Sequence, residues 1–185
     1  MMVYKQLLPW VDEGVLEFNE FECSASFSEK MYKGVPINDE PSPKVFIKDP
    51  SKKIPDFLSG IGMVLPVTSV KATNFFKASS DAKFIQFIKP EIINYEKKDE
   101  FTILNILQVL DALDWDKSDY DLFDEPGPQG NKVIRKMRKL ILKEDVINGR
   151  NIFYLKEFPA VVYISEELEN DMIKSGIKDF RTLPV

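Results

Sequence analysis

Two stretches of this chain carry the same succession of local signals, and few folds accommodate both. MVLPVTSVKATNFFKASSDAKFIQF (residues 63–87) and AVVYISEELENDMIKSGIKDF (160–180) each read as a strand, a serine or threonine cap, a short amphipathic helix and a second strand. In the second, Ser165 is the cap, Glu166 and Glu167 stand against the positive end of the helix dipole, and Leu168, Met172 and Ile173 form the apolar face. Gly176 supplies the positive φ of the helix end. In the first, Thr68 or Ser69 is the cap and Ala72, Phe75 and Phe76 the apolar side. At an offset of 96 residues (165 − 69) the cap serines coincide and Ser79 falls on Ser175. A short strand–helix–strand unit is used twice.

The rest of the chain favours strands. MVYKQLL, VLEFNEFECSASF and KVFIK read as extended segments, the middle one alternating through Val15, Phe18, Phe21 and Cys23. GVPINDEPSPK, with three prolines and a glycine, reads as loop. FTILNILQVL and VIRKMRKLIL fit a helix by spacing (Ile103, Ile106, Leu107, Leu110; Val133, Ile134, Met137, Leu140, Ile141) and a buried strand by continuity. Periodicity leaves both open.

Composition removes several function classes. The chain has 185 residues, is 44% hydrophobic and contains 14 phenylalanines, enough for a sizeable core in one domain of one or two lobes. Its organisation reads as a β-rich part over residues 1–50 and an α+β part over 51–185. There is no histidine, so triads, histidine-ligated zinc and the commonest general base cannot be built. Cys23, the one cysteine, stands beside a glutamate and a serine and reads as a small buried hydrophobe rather than a nucleophile. The start has no signal-peptide pattern and no stretch is apolar enough to span a bilayer, which places the protein in a reducing cytoplasm.

The segment DALDWDKSDYDLFDE (111–125) holds seven carboxylates and one lysine. Asp114, Asp116, Ser118 and Glu125 take the first, third, fifth and twelfth places of a calcium loop, but the sixth, where glycine makes the turn, is Asp119, and the eighth is Asp121. Acid–base catalysis lacks a pocket or an activated nucleophile nearby. NKVIRKMRKLILK (131–143) follows with six cations and no acid, so the two runs can offset one another inside the fold. The basic run lacks the aromatics that stack on bases, which argues against a nucleic-acid partner. The remaining reading makes the acidic segment a mobile loop that meets a basic protein, with charge speeding encounter and aromatics anchoring it.

A resemblance gathers these pieces. IPDFL, VLPVTS, LNILQVLDALDWDKS and NIFYLKEFPAVVYISEELENDMIKSGIKDF resemble, in order and spacing, an immunity-protein family of bacterial polymorphic toxin systems, from about Ile54 to the C-terminus. The chain departs from that pattern at Lys178-Asp179, where a second glycine is often expected. The resemblance implies strands for both ambiguous stretches, hence an α+β protein with a largely antiparallel sheet and a few short helices, no catalytic, cofactor or metal residues, and one cognate toxin as partner, such as a basic nuclease. It leaves room for a homo-oligomer. The expected contact residues are Asp116, Asp119, Tyr120, Asp121, Phe123, Asp124 and Glu125. The alternative is a carboxylate-based or calcium-binding protein.

Overall fold

A computed structural model describes residues 3–9, 14–60, 66–96, 101–125, 132 and 134–185. The chain opens with β1 (Tyr4–Pro9), β2 (Glu17–Glu22), α1 (Ala25–Tyr32), β3 (Lys44–Ile47) and β4 (Phe57–Gly60). The first repeat unit follows as β5 (Val67–Ser69), α2 (Val70–Ala78), a 3-10 turn (Ser80–Phe84) and β6 (Ile85–Ile88). Then come β7 (Glu91–Ile93), β8 (Phe101–Ile106), β9 (Val109–Leu110), β10 (Asp119–Leu122), β11 (Ile134–Lys139) and α3 (Glu144–Ile147). The chain closes with β12 (Ile152–Leu155), β13 (Phe158–Ser165), α4 (Glu166–Lys174) and β14 (Phe180–Pro184).

Over their described residues both repeat units form in the predicted order, with one correction: Leu168 and Met172 of the second helix are buried, but Ile173, read on the same apolar face, is 57% exposed. Ser165 Oγ accepts the amide of Leu168 at 3.1 Å, and Ser69, rather than Thr68, accepts that of Ala72 at 3.3 Å. Thr68 bonds instead to the buried hydroxyl of Thr73. Each helix is nine residues long, and Ser79 and Ser175, matched by the same offset, are their C-caps. Gly176 has φ +73°. Where a second glycine was expected, Asp179 takes a left-handed φ of +60°. Its Oδ2 accepts the Asp56 amide at 2.9 Å while Asp56 Oδ2 accepts the Lys178 amide at 2.8 Å, so two acids lock the turn and offset its strain.

The extended reading of residues 15–27 holds only to Glu22. Ser24 Oγ accepts the Phe27 amide at 2.9 Å and opens α1, whose Phe27 and Met31, four apart, are buried. Glu40 anchors this helix from the following loop, accepting Ser24 Oγ at 2.7 Å, Ser26 Oγ at 2.5 Å and Lys30 Nζ at 2.8 Å. Lys30, then the two serines, hold the Glu40 carboxyl down at about 2. Because the folded value lies below the unfolded one, near 4.5, this stabilisation is complete above pH 4.5 and is lost as pH falls toward 2. Glu40→Gln should therefore melt earlier than the parent at pH 6, and the gap should close by pH 2; a gap constant with pH would refute the assignment.

The two ambiguous stretches are strands. β8 lies between β6 and β5, and five of its six residues are buried, including all four from Ile103 to Ile106, so burial is continuous and the two-residue alternation is lost. β11 pairs with β10 through two register shifts, which spaces its inward residues Ile134 and Met137 three apart and imitates a helix. Val133 lies outside the described residues.

The sheets carry the duplication further than the sequence does. One sheet has the order β14-β1-β13-β12-β9, another β6-β8-β5-β4-β2-β3-β7. From the first-named edge, the neighbours of β14-β1-β13-β12-β9 pair antiparallel three times and then parallel. The run β6-β8-β5-β4-β2 repeats those senses in the same places. In each, a strand, helix and parallel strand leave a gap that one antiparallel strand fills, a split β-α-β arrangement. In the first copy the filler is β8, next along the chain but one. In the second it is β1, from the opposite end of the chain.

The five-stranded sheet is covered on both faces. Leu7, Ile152, Tyr154, Val162 and Ile164 point into the larger core, shared with the seven-stranded sheet, α1, α2 and α4. Tyr4, Phe153, Leu155 and Tyr163 point the other way, against Ala112, Leu113, Ile134, Leu140 and Ile147. The acidic and basic runs are thus the cover of that second face.

Candidate partner-binding surface

The acidic segment is not the mobile loop expected of it. Residues 112–114 pair with 141–143, with Asp114 N donating to Ile141 O at 2.9 Å and Lys143 N to Ala112 O at 2.8 Å. Ser118 Oγ then accepts the Ile141 amide at 3.0 Å, and β10 runs antiparallel to β11 as a sheet of its own. The driving force is apolar: Ala112 and Leu113 are fully buried, and Trp115, Tyr120, Leu122 and Met137 pack around them. Tyr120 meets Trp115 edge to face at 5.0 Å, and Lys132 Nζ lies 5.2 Å over the Trp115 ring.

Folding brings the opposite charges together. Arg138 spans β10, donating to Asp119 Oδ1 at 2.6 Å through Nη2 and to Asp121 Oδ2 at 2.6 Å through Nη1. Those bonds hold both carboxyls below the usual carboxylate range. Arg135 adds a weaker approach to Asp121, and Lys117 holds Asp114 down in the same way from 2.8 Å. Asp111 lies against Glu157, whose carboxyl is pushed up to about 7 by burial and by that neighbouring acid. Glu157 Oε2 and the hydroxyl of Tyr163 are buried without hydrogen-bond partners among the described residues.

The calcium-loop positions do not converge. Asp114 is taken by Lys117, Ser118 by the backbone at Ile141, and the extended β10 carries Glu125 away from the turn. Cys23 is half-buried, packs on the larger core and shares a hydrogen bond with Ser28 Oγ at 3.1 Å.

Among the seven expected contact residues the structure draws a division. Asp119 and Asp121 are bound to Arg138, and Tyr120 is half-buried against Trp115. Asp116, Asp124 and Glu125 are exposed and have no ion-pair partner among the described residues, and Phe123, next to the last two, is 53% exposed. Charge count along the sequence could not separate these groups, because the register of β10 on β11 decides which acids meet Arg138. A second surface, the cleft between α2 and α4, gave no sequence signal, since its residues are distributed over both repeat units.

No described helix is long and apolar enough to cross a membrane. A search of curated proteins found no match. The sequence model of the immunity protein family (Imm11) matches residues 24–184, beginning at the cap of α1, well before Ile54 where the resemblance read from the sequence began. The match takes in every element from α1 to β14, and the chain belongs to the immunity protein family (Imm11).

Proposed function

We propose that the protein protects a bacterial cell by binding one cognate toxin domain in the cytoplasm and covering its working surface, without catalysis. The observation that carries this reading is the family match across nearly the whole chain. The absence of any histidine from the sequence agrees with it, since the chemistry that most often needs an imidazole is out of reach. The contact region we propose is the exposed part of the acidic segment, with Phe123 next to Asp124 and Glu125 just after β10 and Asp116 before it; none of these three acids has an ion-pair partner among the described residues. An aromatic anchor followed by two exposed acids suits a basic partner such as a nuclease, whose own site attracts polyanions.

The whole chain acts as one unit in this reading, and residues 1–50 are not a separable part. Support comes from β1, paired on both sides with strands of the C-terminal sheet, and from β2 and β3, paired with β4 and β7. Co-expression with the toxin encoded beside its gene should restore growth and yield a complex that co-purifies. Failure with every neighbouring toxin would remove the reading.

A further inference from the structure

The two repeat-related helices lie side by side and run in opposite directions. Lys71, in the first turn of α2, donates to the carbonyl of Gly176 just beyond the end of α4. At the other end Asp81, just past α2, accepts Asn151 Nδ2 at 3.1 Å, and Asn151 Oδ1 accepts the hydroxyl of Ser165, the cap of α4, at 2.8 Å. A cleft of about 550 Å³ opens between them, within the size range of ligand sites. Phe75 and Leu168 give it an apolar lining; Glu167 and Asp171, one turn apart on α4, supply charge along one side, and Asp81 is among the residues that line it.

The charge of this lining is unbalanced. It holds three acids, Asp81, Glu167 and Asp171, against one cation, Lys174, which lies 3.8 Å from Asp171. Asp81 is only 5% exposed, yet its side-chain partner among the described residues is the neutral amide of Asn151. Among the described residues no cation comes within ion-pair distance of Asp81 or Glu167. A carboxylate so withdrawn from water is ordinarily offset by a positive group. An apolar strip beside carboxylates also matches the shape of a long side chain with an aliphatic stem and a charged head.

We propose that the α2–α4 cleft is a binding site for a cationic side chain, an arginine or lysine of the toxin, with its stem on Phe75 and its head among Asp81, Glu167 and Asp171. This rests on the immunity reading for the identity of the partner. It names a contact apart from the acidic segment, because α4 packs into the larger core and β10 and β11 cover the opposite face of the five-stranded sheet.

The test compares Glu167→Lys/Asp171→Lys with Asp39→Lys/Glu91→Lys, an equal charge change at exposed positions outside the cleft. The cleft variant should raise the Kd for the toxin at least tenfold over the control, and the milder Glu167→Gln/Asp171→Asn should do so partly with an unchanged melting curve. Equal effects in cleft and control variants would overturn the proposal. If no toxin binds the parent, the immunity reading falls, and the site is then decided by amide NMR with N-acetyl-arginine amide. Shifts at Ser80, Asp81, Glu167 and Asp171 that vanish in the double-lysine variant sustain it; no shift at tens of millimolar overturns it.

Discussion

A chain lacking residues 1–9 should fail to fold cooperatively, although it keeps every residue of the family match. β1 is the filler strand of the C-terminal sheet, bonded to β13 through Tyr4–Leu7 and to β14 through Lys5–Pro9. Its removal exposes the facing edges of both neighbours, whose amides and carbonyls then lack partners. Tyr4 and Leu7 are 6% and 4% exposed, and each buried side chain of this kind contributes about 2 kcal/mol. Lys5 also holds the largely buried Glu169 of α4 at 2.6 Å, and removing one member of such a pair costs about 3 kcal/mol. The sum, about 7 kcal/mol, lies within the range of roughly 5–15 kcal/mol that stabilises an ordinary domain.

The same topology predicts the remedy. Lys5 pairs with Pro184, so the start of β1 lies beside the end of β14. A circular permutant that carries residues 3–9 after Val185 on a short linker, with its new start between Pro9 and Gly14, places the filler strand where the first repeat unit has its own. It should melt cooperatively within about 5 °C of the parent by calorimetry. A truncated chain that melts as the parent does would refute the role given to β1, and so would a permutant as unfolded as the truncation.

Phe123→Ala is expected to weaken toxin binding about tenfold to a hundredfold, as loss of a central aromatic anchor does. It should leave the melting temperature unchanged, since Phe123 is already 53% exposed. The surrounding charges should act on rate. Replacing Asp116, Asp124 and Glu125 by their amides should slow association and flatten its salt dependence, with the fold intact. Asp119→Asn/Asp121→Asn should do the reverse, lowering the melting temperature slightly because Arg138 loses both partners while association changes little. If that pair instead controls association and the other three do nothing, the division drawn at Arg138 is wrong. Stopped-flow association at two salt concentrations, with thermal melts, separates these outcomes.

How much of this was legible in the sequence follows from where the information lies. Ser69 and Ser165, with their matched closing serines, are local signals, so both helices could be placed within a residue. α1 was missed because Phe21, Cys23, Phe27 and Met31 merge strand and helix spacing into one apolar run, and Glu40, which anchors it, is a distant residue. β8 and β11 were ambiguous for opposite reasons, one buried too evenly to alternate and the other bulged. The acidic segment was read correctly as a stretch that its basic neighbour can offset, but its strand and its register on β11 are tertiary facts. The placement of β1 between β13 and β14 joins residues more than 150 positions apart, which no local pattern encodes.

In the function we propose, the protein silences a cognate toxin by occupying it. Titrating purified protein into a fixed amount of toxin, with residual toxin activity as the readout, tests that claim most directly. Occupation predicts a straight loss of activity that ends at one equivalent and does not deepen with incubation time. A trace of protein that abolishes activity progressively, or an excess that leaves it untouched, would contradict it.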